Sequence, residues 1–309
     1  MNQHMTMATG TGRGAQPANP RSGIPSLVVF LVAVFFATWI VWVPRALSSR
    51  GLIHADWAAS LGVGWTYMPA LTAVVFIALT RGRAGLADPG RRLIRWRIGW
   101  RWYATIVAIP LGIALGTAVI YALTGGQFSQ ALPAAFDLPL PLIPVILAIR
   151  VLTDGVGEET AWRGVALPRM LQHTNAVTAS LCLGVVWALW HLPLIFTRGA
   201  TMAGDSIPLL LALLPAEAIV YTWIYQHTNR SILAAALFHG LIGLLVTTSP
   251  AAEAGGHPEV IRLILWWVLA IALVTRNGAN LRRETATRES GDRISDPADA
   301  ARVLAGSDR

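Results

Sequence analysis

The chain has 309 residues, of which 54% are hydrophobic and only 13% charged, and it carries 13 Trp. A soluble globular domain has a more polar balance, so the composition points to a protein whose main partner is the lipid bilayer. The net charge of +8 would suit a nucleic-acid binder, but the arginines gather in loops between apolar runs, a distribution that argues for no nucleic acid as partner.

In chain order, residues 1–24 are rich in Gly, Thr, Asn and Pro and read as a disordered cytoplasmic tail. Uncharged apolar runs then cover Ser26–Val43, Ala58–Thr80 and Trp102–Leu123, each close to the ~20 residues that cross a ~30 Å hydrocarbon core. The first is longer than a signal-peptide core and lacks a small-residue cleavage site after it, so it is predicted to be a retained span. Between the second and third lies a loop with Arg81, Arg83, Arg91, Arg92, Arg95, Arg97 and Arg101. The positive-inside rule makes this loop cytoplasmic. Alternation then puts both termini, the Arg169 turn and the Arg230 turn inside, and the Arg-poor loops Thr124–Asp137 and Ser249–Pro258 outside. Ile94, Trp96, Ile98 and Trp100 alternating with the arginines read as an interfacial anchor on anionic lipid.

As one helix, Pro141–Leu171 would run to ~45 Å. It must tilt, protrude or break, with Gly155 and Gly157 as the weak point. Ala176–Phe196, Ile207–Tyr225 and Ser231–Thr248 each hold one ionisable residue, His191, Glu217 and His239 respectively, and Val260–Thr275 is an eighth candidate whose Arg262 can snorkel. Residues 277–309 read as a second disordered cytoplasmic tail. The expectation is an all-α, polytopic membrane bundle of about eight transmembrane helices over residues 25–276, with N- and C-termini cytoplasmic, multi-pass in the cell (cytoplasmic) membrane. No internal repeat is visible, which argues against a transporter built from two related halves. The single cysteine, Cys182, allows no internal disulfide.

Ionisable groups inside a membrane cost about 2.5–3.5 kcal/mol each on insertion scales, so they face a bundle interior and mark functional paths. In Gly157-Glu158-Glu159-Thr160-Ala161-Trp162-Arg163-Gly164, Glu159 and Arg163 stand at i and i+4 and form a natural ion pair. Glu158 is turned about 100° away, onto the face of Asp154 and Trp162, which Arg150 continues one turn earlier. The bland reading is a buried network that pins helices together. Against it, three acids meet two arginines, which leaves one carboxylate without a dedicated cation and available as a general base or acid. Two histidines can complete a site: His191, one turn after Trp187 and just before Pro193, and His239 in an otherwise uncharged span. At about 1.5 Å per residue, Glu158, His191 and His239 lie roughly 20, 23 and 12 Å from the cytoplasmic ends of their helices.

Peptide hydrolysis in a membrane needs an activated water, oxyanion stabilisation and a proton for the leaving amine. Glu158 with His191 can deprotonate and orient water, and His239 can donate to the oxyanion. The chain has no His-Glu-x-x-His zinc motif. Asp154-Gly155-Val156-Gly157 has the wrong order for an aspartyl intramembrane protease, and Cys182 is about 180° from His191 on its helix, a poor place for a nucleophile.

Glu-Glu-x-x-x-Arg at 158–163, aromatic-x-x-x-His at 187–191 and a later His in a span resemble the three motifs of the CAAX prenyl protease and bacteriocin-processing (CPBP, or Abi) family, over residues 140–245. The resemblance implies a multi-helix intramembrane endopeptidase of glutamic type, acting on a membrane-associated peptide or protein without a cofactor. It implies Glu158 as base on water, His191 as its partner and His239 as oxyanion donor, supported by Glu159, Arg163, Trp187 and Asp154. The cleft is expected to open toward the cytoplasm.

Two departures stand out. Trp187 replaces a more usual Phe, which keeps an aromatic against the histidine. Gly243 occupies the place where the last motif has Asn or Asp, and losing such a donor costs about 3–4 kcal/mol of transition-state stabilisation. Slow, rescued or lost activity is therefore an open alternative, and with it a non-catalytic membrane partner or bacteriocin self-immunity protein on the same fold. A proton-linked transporter through Asp154, Glu158 and Glu217 is a third reading. Zinc held by Glu158, His191 and His239 is also open, although water activated by glutamate alone fits the resemblance. Glu217 has no implied role beyond helix packing, with Tyr221 one turn on as its hydrogen-bond partner.

Overall fold

A computed structural model describes residues 23–60, 64–245 and 258–282. The two tails read as disordered lie almost wholly outside the described residues, as does most of the loop Ser249–Pro258. The described residues contain helices and no strand, as an apolar chain in lipid requires, because a helix satisfies every backbone group within its own segment. The protein is a polytopic helical membrane bundle.

Eight helical segments build the bundle among the described residues: α1 Gly23–Ser49, α2 Met68–Arg81, α3 Trp100–Leu123, α4 (residues 142–170), α5 Ala176–Trp190, α6 Ile207–His227, α7 Ile232–Leu245 and α8 Pro258–Asn277. Four of them, α1, α3, α6 and α8, are long and apolar enough to cross a membrane by themselves, whereas α5 and α7 are shorter apolar helices. Asn175 caps α5 by accepting from the Thr178 N–H at 2.9 Å, and Ser206 caps α6, whose second residue is Pro208.

The outer faces of α1, α2 and α8 expose large apolar side chains, among them Val32, Phe36, Leu79, Val268 and Ile271. In water this would be an aggregation surface; against acyl chains it costs nothing. Because lipid is as apolar as leucine, the helices associate through close packing and polar bonds instead. Ser180 Oγ donates to Thr222 Oγ1 at 2.7 Å between α5 and α6, and the Trp267 indole donates to Ala212 O at 3.0 Å between α8 and α6.

α4 does not break. It runs as one helix that widens twice into π-helical turns, at Val151–Gly155 and Trp162–Ala166. Gly155 and Gly157, expected as a weak point, are close-approach positions: a Cβ on Gly155 would strike Ala236 O of α7, and one on Gly157 would strike Thr66 O just before α2. Leu142–Arg150 contains no buried residue, whereas every residue from Gly157 to Leu167 is buried. The helix passes from the lipid-facing flank into the centre of the bundle near Glu158.

The two ends of the bundle differ. At one, the Arg81–Arg101 loop folds under α4, α6 and α7. Arg92 is buried, donates to Gly164 O at 3.2 Å and the Tyr225 hydroxyl at 2.5 Å, and pairs with Asp88 at 3.0 Å. Ser231 donates to Arg95 O at 2.7 Å. At the other end the segment after α1 meets the segment after α5, with Arg50 Nε donating to Phe196 O at 2.6 Å and the Arg198 N–H to Ser49 Oγ at 3.0 Å.

Candidate active site

The centre of the bundle is organised by α4. One helical turn joins Glu159 to Arg163 at 2.8 Å, with both side chains fully buried. A second turn joins Arg150 to Asp154 at 3.0 Å, half-buried. Both arginines near the motif are thereby used, and among the described residues Glu158 is left with no arginine within ion-pair distance. Its Oε2 instead accepts from two indoles, Trp187 Nε1 at 2.6 Å and Trp162 Nε1 at 3.2 Å. Trp162 stands one turn after Glu158 on the same face, and Trp187 reaches it from α5.

His239 of α7 sits between the two glutamates. Its Nδ1 is 3.0 Å from Glu159 Oε1, and its Nε2 is 3.8 Å from Glu158 Oε1. His191, at the end of α5, places Nδ1 2.9 Å from Trp187 O. A carbonyl can only accept, so that nitrogen carries the proton and Nε2 is left with the lone pair. Arg163 lies over the faces of Tyr221 at 4.1 Å and Trp187 at 5.3 Å. The buried guanidinium is thus held by one carboxylate and two rings.

Glu158, His191, His239, Asp154 and Gly243 all line one cavity of about 350 Å³, so the three residues singled out for chemistry and the altered end of the third motif share a space. Its remaining wall comes from Trp42 and Arg45 of α1, Trp65 and Thr66 before α2, Ile149, Arg150 and Thr153 of α4, and Leu194 with Gly199–Met202 after α5. Sequence reasoning missed the α1 and α2 contributors, which no motif marks, and the roles of Trp162 and Trp187 as hydrogen-bond donors rather than packing partners. Trp187 does also pack on His191, with ring centroids 5.8 Å apart.

Two expectations need correction. The Tyr221 hydroxyl has no hydrogen-bond partner among the described residues. It does not bond Glu217, because its ring is turned under Arg163. Nor does the cavity open toward the Arg81–Arg101 loop. Its wall uses the late part of α1, the entry to α2, the first half of α4, the exit from α5 and the late part of α7, which together form the opposite end of the bundle. The loop end is filled by Arg92, Tyr225 and the buried second half of α4.

Among the described residues, no three His, Cys, Asp or Glu side chains are arranged to share a metal ion. Glu217 is buried on α6, and it is not part of the cavity wall.

A family model described as type II CAAX prenyl endopeptidase Rce1-like matches residues 140–245, the segment that carries α4 to α7. Among curated proteins the chain is similar to a CAAX prenyl protease 2 of Methanococcus maripaludis, 26% identical over 230 residues, which is 70% of this chain and 82% of that protein.

Proposed function

We propose, from its similarity to the CAAX prenyl protease and bacteriocin-processing family, that this chain is an intramembrane endopeptidase of the cell membrane in which Glu158 activates the attacking water. The observation that carries this reading is the environment of Glu158. It is the one acid of the constellation with no arginine, it is oriented by two neutral indole donors, and it faces a cavity together with two histidines. Two indoles fix Oε2, which leaves Oε1 to take a proton from water. His191, with its Nδ1 proton engaged by a carbonyl, presents an accepting Nε2 that orients the same water.

Attack on a peptide carbonyl bound in the cavity produces an oxyanion. His239, steadied by Glu159 through Nδ1, donates to it from Nε2 when protonated. The proton gained by Glu158 then passes to the leaving amine, and the carboxylate is regenerated. Arg163 supports Glu159, and Asp154 with Arg150 forms the cavity wall next to Glu158. Gly243 adds no side-chain donor, so the oxyanion relies on His239 and on what the bound peptide brings.

The test is cleavage of a matched membrane peptide by the purified full chain, followed by mass spectrometry. Folded Glu158→Gln and His191→Ala variants that cleave as well as the parent would sink the reading. No step is routed through a metal, so activity is expected to survive strong chelation; loss on chelation, restored by zinc, would replace the mechanism. Gly243 favours a second reading, a non-catalytic membrane partner or self-immunity protein. On that reading the Glu158→Gln variant retains full protection in cells.

A further inference from the structure

We propose that the cleft is loaded from the side of the membrane opposite the Arg-rich loop, so that its substrate is a peptide segment displayed on the extracytoplasmic face. This rests on the protease reading and gives it a substrate class. The basic residues of the chain are strongly segregated between the two ends of the bundle. Among the described residues, seven arginines lie from Arg81 to Arg101, and Arg169, Arg230, Arg276 and Arg282 sit at the same end; Arg45, Arg50, Arg150, Arg198 and Arg262 lie toward the other, and Arg163 is buried in the centre. Such a bias orients the Arg-rich end toward the cytoplasm.

The cavity is at the Arg-poor end. Its rim comes from Arg45 near the end of α1, Trp65 and Gly199–Met202, which end or follow an outward pass or precede an inward one. Among the described residues, Arg92 fills the space at the cytoplasmic end with bonds to Gly164 O and the Tyr225 hydroxyl, and the surface pocket there, lined by Arg95, Arg97 and Arg230, includes none of the site residues. The cleft also reaches the lipid. Ile149 lines it and is 52% exposed, on the Leu142–Arg150 stretch of α4 that contains no buried residue. A segment lying in the outer leaflet, or emerging from it, can therefore slide between α4 and the entry to α2 and bring its backbone to Glu158.

The full chain carrying Cys182→Ala, which removes the one exposed cysteine, provides the background for two reporters. Ala203→Cys stands beside the rim, and Ala84→Cys stands in the Arg-rich loop; both positions are exposed. With a membrane-impermeant maleimide on spheroplasts, Ala203→Cys is expected to label in intact spheroplasts and Ala84→Cys only after lysis. The reverse pattern overturns the proposal. Peptide cleavage by the same proteins in detergent has no sidedness and separates the two readings. Absent cleavage with the expected labelling counts against the protease reading, whereas cleavage with reversed labelling counts against the direction of loading alone.

Discussion

Adjacent carboxylates on α4 should fail in opposite ways when each loses its charge. Glu158→Gln keeps the shape of the side chain, and its amide oxygen can still accept from Trp162 and Trp187. The fold therefore has little reason to change, while the proposed base is gone. General acid–base catalysis contributes roughly 10²–10⁴-fold, which at ~1.36 kcal/mol per tenfold is about 3–5 kcal/mol of barrier. Glu159→Gln removes the negative partner of an arginine that is 0% exposed. Arg163 Nε and Nη2 have no hydrogen-bond partner among the described residues, so the remaining compensation is the faces of Tyr221 and Trp187. Breaking a buried pair on one side costs about 3–5 kcal/mol, and here the cost falls on stability, with the support of His239 lost as well. The assay is a pair of measurements on each purified variant: the temperature at which the monodisperse peak is lost in detergent, and the initial rate of peptide cleavage. Glu158→Gln is expected to melt like the parent and cleave at least 100-fold more slowly; Glu159→Gln is expected to melt earlier. A stable Glu159→Gln variant, or a Glu158→Gln variant that cleaves within tenfold of the parent, would refute the division of roles.

The other predictions concern the neighbours of that pair. Trp187→Phe keeps the ring but deletes an N–H that donates to Glu158 at 2.6 Å; a hydrogen bond to a charged group contributes about 1.5–3 kcal/mol, so kcat/KM should fall roughly 10- to 150-fold, and an unchanged value would reduce Trp187 to a packing residue. Gly243→Asn should fold, since a Cβ there meets only Arg150 Cδ at 3.7 Å, and should raise kcat by up to about 100-fold with KM little changed if it restores an oxyanion donor; no gain in rate would show that the third motif is not short of one. Gly157→Ala forces a Cβ against the Thr66 carbonyl, where backbone meets backbone; overpacking of this kind costs about 1–3 kcal/mol, so thermal stability and cleavage should fall together, and a parental melting temperature would contradict the close approach.

How much of this was legible before the structure depends on whether a relation is local to one helix. The i, i+4 rule was enough to pair Glu159 with Arg163, and counting charges was enough to single out Glu158, because both relations live within two turns of α4. The same face arithmetic put Trp162 next to Glu158, but nothing in it tells an indole that packs from one that donates. The contact with Trp187 spans 29 residues and two helices, and it depends on how α5 is rotated against α4, which an α5 apolar on all sides does not encode. The direction in which the cleft opens was misread for a related reason. Distances along each helix place Glu158, His191 and His239 at a common level, but they are silent on which end of the bundle is filled. That is decided by tertiary packing: Arg92 turns inward from a loop that reads as a surface anchor and closes one end, while the unburied Leu142–Arg150 stretch of α4 leaves the other open. A charge in the wrong-looking place carried the information twice, at Glu158, which faces the cavity without an arginine, and at Arg92, which is buried and closes the opposite end.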